Sequence, residues 1–139
     1  MPVDASLCHR LLDEYAPAIA RALALDDYDL QLRVESVSEG RKATGSMNDD
    51  YLWIRVVIDP NQHDDEEDVL DSIRHELVHG LHESWTTYSL TMQAAVGDAW
   101  PAGLDDQQYR LAAERFTRRM ERLLDRHGLS PRTLSGLDA

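Results

Sequence analysis

The tightest constraint on this chain lies in residues 65–83, a helix-compatible stretch whose two faces are built for different surroundings. Leu70, Ile73, Leu77 and Leu81 recur at spacings of three and four and form one apolar stripe. His75 and His79 stand on the other side, separated by about 40° around the axis and about 6 Å along it, so both imidazoles can converge on one point. Asp68, Asp71 and Ser72 flank them and make that side polar. A helix divided in this way has to rest on a core with one face and present its histidines to a cleft with the other. The acids that open it, in DPNQHDDEED, suit the positive end of a helix dipole.

The residues His75-Glu76-Leu77-Val78-His79 have the H-E-x-x-H spacing, in which two imidazoles on one helix face bind an ion and the intervening glutamate reaches a water on it. Neutral imidazoles with a carboxylate favour Zn2+, and Glu76 is placed as a general base. Cys8 is the single cysteine, so neither an internal disulfide nor a cysteine-based zinc cluster is available.

The rest of the chain supplies what such a helix needs. Residues 51–59, YLWIRVVID, alternate as a strand, with Leu52, Ile54, Val56 and Ile58 on one side and Tyr51, Trp53, Arg55 and Val57 on the other. Leu30, Leu32 and Val34 alternate with Gln31, Arg33 and Glu35 in a second strand. Between them, SVSEGRKATGSMNDD reads as a flexible polar loop. An N-terminal helix spans about 5–25, with Leu7, Leu11, Leu12, Tyr15, Ile19 and Leu23 on one side; Pro17 predicts a kink or two shorter helices. A last helix runs from about Asp105 to His127, with Tyr109, Ala113, Phe116, Met120, Leu123, Leu124 and His127 at helical spacing, Asp105 or Asp106 as N-cap and Gly128 as stop. Residues 130–139 read as a flexible tail. The expectation is a single α+β domain over residues 1–139: a small antiparallel or mixed sheet packed with an N-terminal helix, the histidine-bearing helix and a C-terminal helix.

Charge narrows the partners. With 26 acids against 14 bases the formal net charge is −12, which repels phosphate backbones and anionic lipid, so neither nucleic acid nor a membrane is the expected partner. The N-terminus has acids where a secretory signal would have an apolar run, which points to a cytoplasmic protein. The charge is uneven: residues 1–109 carry 22 acids and 7 bases, residues 110–139 only 4 acids and 7 bases. An arginine-bearing helix is therefore expected to dock on an acidic body.

The strand at 51–58, SIRHELVHGLH, and AAERFTRRMERLL about thirty residues later resemble the zincin metallopeptidases, and more narrowly the small glutamate-ligand zincin-like proteins often encoded by phages and prophages. That resemblance covers residues 51–126. It implies His75 and His79 as metal ligands, Glu76 as catalytic base, Glu114 as third ligand, zinc as cofactor and a peptide or protein as substrate. It also implies that strand 51–58 is an edge strand lining the cleft and pairing with extended substrate. His82, Glu83 and Asp98 rival Glu114; His82 shares the face of the other histidines but lies about 4.5 Å beyond His79 in an unbroken helix, unless Gly80 breaks it. Tyr88 and Tyr109 are candidates for stabilising an oxyanion. His9, His63 and His127 read as surface or stripe residues, and Trp53, Trp85 and Trp100 mainly as core. The competing reading is a non-catalytic zincin-like module in which the metal clips two helices together and a face binds a protein partner; a third is a regulator in which a short zincin domain cleaves or binds a repressor.

Overall fold

The computed structural model describes residues 3–48, 51–99 and 106–137. In order these form α1 (Ala5–Ala22), β1 (Asp29–Val34), β2 (Ala43–Asn48), β3 (Trp53–Ile58), α2 (Glu66–His79), α3 (Glu83–Val96), α4 (Asp106–Arg126) and α5 (Pro131–Ser135), with short 3-10 turns at Ser38–Gly40, Pro60–Gln62 and Gly97–Ala99. The fold is α+β, as the residue pattern predicts.

The three strands make one mixed sheet in the order β1-β3-β2. Central β3 runs parallel to β1, with Leu30 opposite Ile54 and Leu32 opposite Val56, and antiparallel to β2, with Gly45 opposite Val56 and Met47 opposite Ile54. Two expectations fail here. The segment between the first strand and β3 is not a flexible loop throughout, since it contains β2. Consequently residues 53–58 are the middle of the sheet, and the edge strand on that side is β2. The cause lies in composition: ATGSMN alternates only small or weakly apolar residues, Ala43, Gly45 and Met47, against Thr44, Ser46 and Asn48, a pattern that hydrophobic periodicity does not pick out.

One face of the sheet is covered. Ile54, Val56 and Ile58 are buried against α1 and α2, joined by Leu11, Leu12, Ile19, Val69, Leu70, Ile73 and Leu77. Burying an aliphatic side chain of this size stabilises by about 1.5–3 kcal/mol, so the seat of α2 on the sheet and on α1 is the principal attachment of that helix. Despite Pro17, α1 is one helix of 18 residues. A proline there removes the donor that Asp13's carbonyl would otherwise receive, and Asp13 is exposed, so water can take that place.

Helix α2 starts where expected, with the Asp65 carboxylate accepting from the Asp68 N–H at 2.9 Å, but it stops at His79. Gly80 lies so close to the body that a Cβ there would come within 3.0 Å of the Leu77 carbonyl and 3.1 Å of Leu25 Cδ1. The chain turns and restarts as α3, with His82 at the N-cap position but no side-chain cap. The sequence pattern had carried this helix through to Glu83.

His63 is not a surface residue. It is buried at 7% exposure; its Nδ1–H donates to the Asp59 carbonyl at 2.8 Å, which leaves Nε2 to accept the Ser72 hydroxyl at 2.8 Å. The ring thus pins the β3–α2 connection to the second turn of α2.

The last segment also differs from expectation. In place of a flexible tail from residue 130, Pro131–Ser135 form α5, which packs on α1 and α2. Arg132 binds Glu66 at 2.8 Å, Glu67 at 2.7 Å and the Tyr15 hydroxyl at 2.8 Å. Residues 138–139 lie outside the described residues. Arg132 thus follows the predicted attraction between basic C-terminal segment and acidic body, but α4 reverses it. There the body supplies the base: buried Arg74 donates to Asp125 Oδ1 and to the Leu129 carbonyl, both at 2.9 Å. Among the described residues, no helix is long and apolar enough to cross a membrane.

The Arg132 cluster is checked by Arg132→Ala. Losing three hydrogen-bonded partners that are only partly shielded should cost about 1–2 kcal/mol in urea unfolding, with local hydrogen exchange in α5 accelerated well before that of α2.

Candidate metal centre

With its apolar side on the sheet, α2 turns His75, Glu76 and His79 toward a cleft of about 1010 Å³ walled by α2, β2 and α4. Helix α4 returns across α2, burying Thr117 completely and Leu124 nearly so, and that contact brings Glu114 and Glu121 to the histidines. The result is a close triangle. His75 Nε2 and His79 Nε2 are 3.2 Å apart, His75 Nε2 is 3.4 Å from Glu114 Oε1, and His79 Nε2 is 3.3 Å from Glu114 Oε2. A tetrahedral ion with bonds of about 2.0–2.1 Å separates its ligand atoms by about 3.3–3.4 Å, so His75, His79 and Glu114 are spaced as a group that could hold a metal ion.

Proton placement supports the same conclusion. His75 Nδ1 is 2.5 Å from Glu121 Oε1, and an ionised carboxylate only accepts, so His75 carries its proton there and points the Nε2 lone pair inward. His79 Nδ1 lies 3.2 Å from Thr117 Oγ1 and 3.1 Å from His82 Nε2. The Thr117 hydroxyl gives its own proton to the Ala113 carbonyl at 3.0 Å and His82 hydrogen-bonds its own main chain, so both are acceptors for a proton on His79 Nδ1. Two imidazole lone pairs and a carboxylate then face one another at contact distance. Three acceptors without a donor repel, and a cation between them removes the repulsion.

Electrostatics follow from this crowding. The Glu121 hydrogen bond raises the pKa of His75 against the opposing effect of burial. Burial, followed by the neighbouring His75, pushes His79 down to about 4, and burial also lowers His82. Glu76 is pushed up to about 7, first by burial and then by Glu114 and Glu121, with His75 and Arg41 opposing. The Glu76 carboxylate lies against β2: a Cβ on Gly45 would sit 2.6 Å from Glu76 Oε2, so any other residue there would push that carboxylate aside.

The structure therefore brings His75, His79, Glu114 and Glu76 to one cleft. His82 is within reach of His79, but on its Nδ1 side, away from the triangle. Glu83 lines the cleft without joining the ligand group, and Asp98 is not among the lining residues. Of the two tyrosines, Tyr109 lines the cleft, whereas Tyr88 is 59% exposed and does not. Trp53 lies half-buried under Arg55 on the open face of the sheet; Trp100 and the side chain of Trp85 lie outside the described residues. Glu121 and Thr117 carry no motif that assigns them a role from sequence, although both fall one or two turns after Glu114, on the same side of α4. Comparison with protein-family models, with curated proteins and with solved structures gives no match to this chain.

The raised Glu76 pKa has a signed consequence for the metal-free protein. A carboxyl whose folded value lies above its unfolded 4.5 favours folding most at low pH, and that contribution disappears as pH rises through about 7. In chelator, Glu76→Gln should melt close to wild type at pH 4 and about 3–8 °C higher at pH 8. Equal melting temperatures at both pH values would show that the carboxyl is not held in a desolvated place.

Proposed function

We propose that this chain is a zinc-dependent metallopeptidase of the zincin-like kind, in which His75, His79 and Glu114 hold the ion and Glu76 is the general base. The observation that carries the reading is the triangle of acceptor atoms 3.2–3.4 Å apart, with both histidine tautomers set by Glu121 and Thr117. When bound, zinc would supply a Lewis acid for the scissile carbonyl and a water acidified toward a pKa of about 7. Every other task falls to the chain. Glu121 and the Thr117–His82 pair orient the two imidazoles. The Glu76 carboxyl, poised near neutrality, takes a proton on one oxygen and delivers it to the leaving amine. Burial of that carboxyl between α2 and Gly45 keeps bulk water from competing for the proton. The free edge of β2, which forms one wall of the cleft, offers main-chain groups to an extended peptide, a role the family resemblance would have given to β3.

Elemental analysis and peptide turnover test this together. Wild type should carry close to one zinc per chain, and His79→Ala and Glu114→Ala should lose most of it. Glu76→Gln should keep the zinc and lose at least about a hundredfold in turnover of an unstructured protein such as casein. Undiminished turnover in Glu76→Gln would sink the base assignment, and full zinc in Glu114→Ala would move the third ligand elsewhere. Glu121→Ala should weaken zinc affinity by about 10–100-fold, read by competition with a chromogenic chelator, because it frees the His75 ring to rotate and change tautomer.

One observation favours a second reading. Few apolar groups seat α4 on α2, Leu124 chief among them, so an ion shared by His75, His79 and Glu114 would also clip the two helices together in a non-catalytic module. Zinc bound at full occupancy with neither wild type nor Glu76→Gln turning over peptides would select it.

A further inference from the structure

Beside the residues of α4 that pack on α2 and those that reach the ligand set runs an apolar row, whose Phe116 also sets its ring edge-on to His82 at 5.5 Å between centroids. Phe116, Met120, Leu123 and His127 follow one another at spacings of four, three and four, the a/d repeat of a helix built to pair with another helix, whereas Ala113, one step earlier in the repeat, lines the metal cleft. The face that packs on α2 is made by Thr117 and Leu124, about 60–80° around the axis from the middle of this row. Phe116 stays 40% exposed and Leu123 47% exposed. Phe116, Met120 and Leu123 floor a groove of about 390 Å³, and Arg119, Arg122 and Arg126 form its open bank. From Phe116 to Leu123 it spans two turns, about 10 Å, the reach of anchors at i, i+4 and i+7.

Charge selects the occupant. In the heptad register Arg119 and Arg126 take the positions that face a partner helix's flanks, and Arg115 and Arg122 continue the exposed cationic bank. A second copy pairing antiparallel would set Arg119 and Arg126 against Arg126 and Arg119; a parallel copy would set them against Thr117 and Leu124, which offer no acid. A nucleic acid extends well beyond two turns, onto a body whose first 109 residues hold 22 acids and 7 bases. A short helix with acidic flanks is confined to the seam, and acids more than a Debye length of about 8 Å away are screened from it.

We infer that the outer face of α4 is a docking surface for an amphipathic helix of another protein, apolar at a/d spacing and acidic along its flanks. The inference does not rest on the peptidase reading, because the groove is lined by none of His75, Glu76, His79 or Glu114, although Phe116 at its end also touches the His82 ring.

The test measures binding of the 139-residue chain, by fluorescence anisotropy at physiological salt, to two labelled two-heptad peptides with leucine at every a and d position. One has glutamate and the other lysine at e and g. The glutamate peptide should bind at least tenfold more tightly. Leu123→Ser, at an exposed position, should weaken it at least fivefold, and Arg119→Glu with Arg126→Glu should invert the preference toward the lysine peptide, with circular dichroism confirming an unchanged fold. Three results would overturn the inference: equal binding of the two peptides, or none of either; a wild-type dimer in sedimentation that Leu123→Ser converts to monomer, which assigns the seam to a second copy; or displacement of the glutamate peptide by a 20-base-pair DNA duplex, which assigns the arginines to phosphate.

Discussion

Everything at the metal centre depends on how firmly α2 is seated. Val69, Leu70, Ile73, Leu77 and Val78 are each fully buried, and together they fix both the depth and the rotation of the helix. A rotation of one residue, about 100°, would carry His75 and His79 out of the cleft and expose leucines. At contacts this close a small displacement already forfeits the geometry, so the apolar side of α2 is what makes the polar side precise. The Ser72–His63 hydrogen bond, the Asp65 cap and the close approach of Gly80 to Leu25 then set where the helix begins and ends.

The opposing element, α4, reaches the same site by another route. It contributes little apolar area to its contact with α2 and relies on polar and charged groups. Arg74 shows the cost of this arrangement: its guanidinium is buried, it satisfies Asp125 and the Leu129 carbonyl, and its Nε has no partner among the described residues. Such a group is worth keeping only if the position of α4 matters more than the stability lost. The position of α4 is what carries Glu114, Thr117 and Glu121 to the histidines.

What could be read from the chain alone follows from the same physics. The α2 face, the β3 alternation and the α4 helix stand out because strong apolar residues repeat at a clear period, and the histidines are legible because one helix carries both. β2 escapes notice because Ala43, Gly45 and Met47 give almost no hydrophobic contrast, although it borders the cleft. The break after His79 depends on Leu25, 55 residues earlier, and so has no local signal beyond the glycine itself. Glu121 and Thr117 become meaningful only when α4 is laid across α2, since their partners are 46 and 38 residues away. His63 lacked any partner spacing because its contacts are to a backbone carbonyl and a serine, neither of which the sequence distinguishes.

The arginine-rich composition of the C-terminal segment also takes on a different meaning in three dimensions. Attraction between a basic helix and an acidic body accounts for Arg132, yet along α4 the residues turned inward are Glu114, Thr117, Glu121 and Leu124, while Arg115, Arg118, Arg119, Arg122 and Arg126 are exposed. A helix of 21 residues has room for more than one face: Glu114 and Glu121 turn to the cleft, Thr117 and Leu124 to α2, and Met120 and Leu123 to the outer groove. The inward acids complete a site that gathers acceptor atoms, and they would repel its own ligands if that sector were acidic without a cation. Exposed arginines on the remaining arc keep the helix from adding to the body's negative charge, and they give its uncovered apolar seam a sign opposite to that of the rest of the surface.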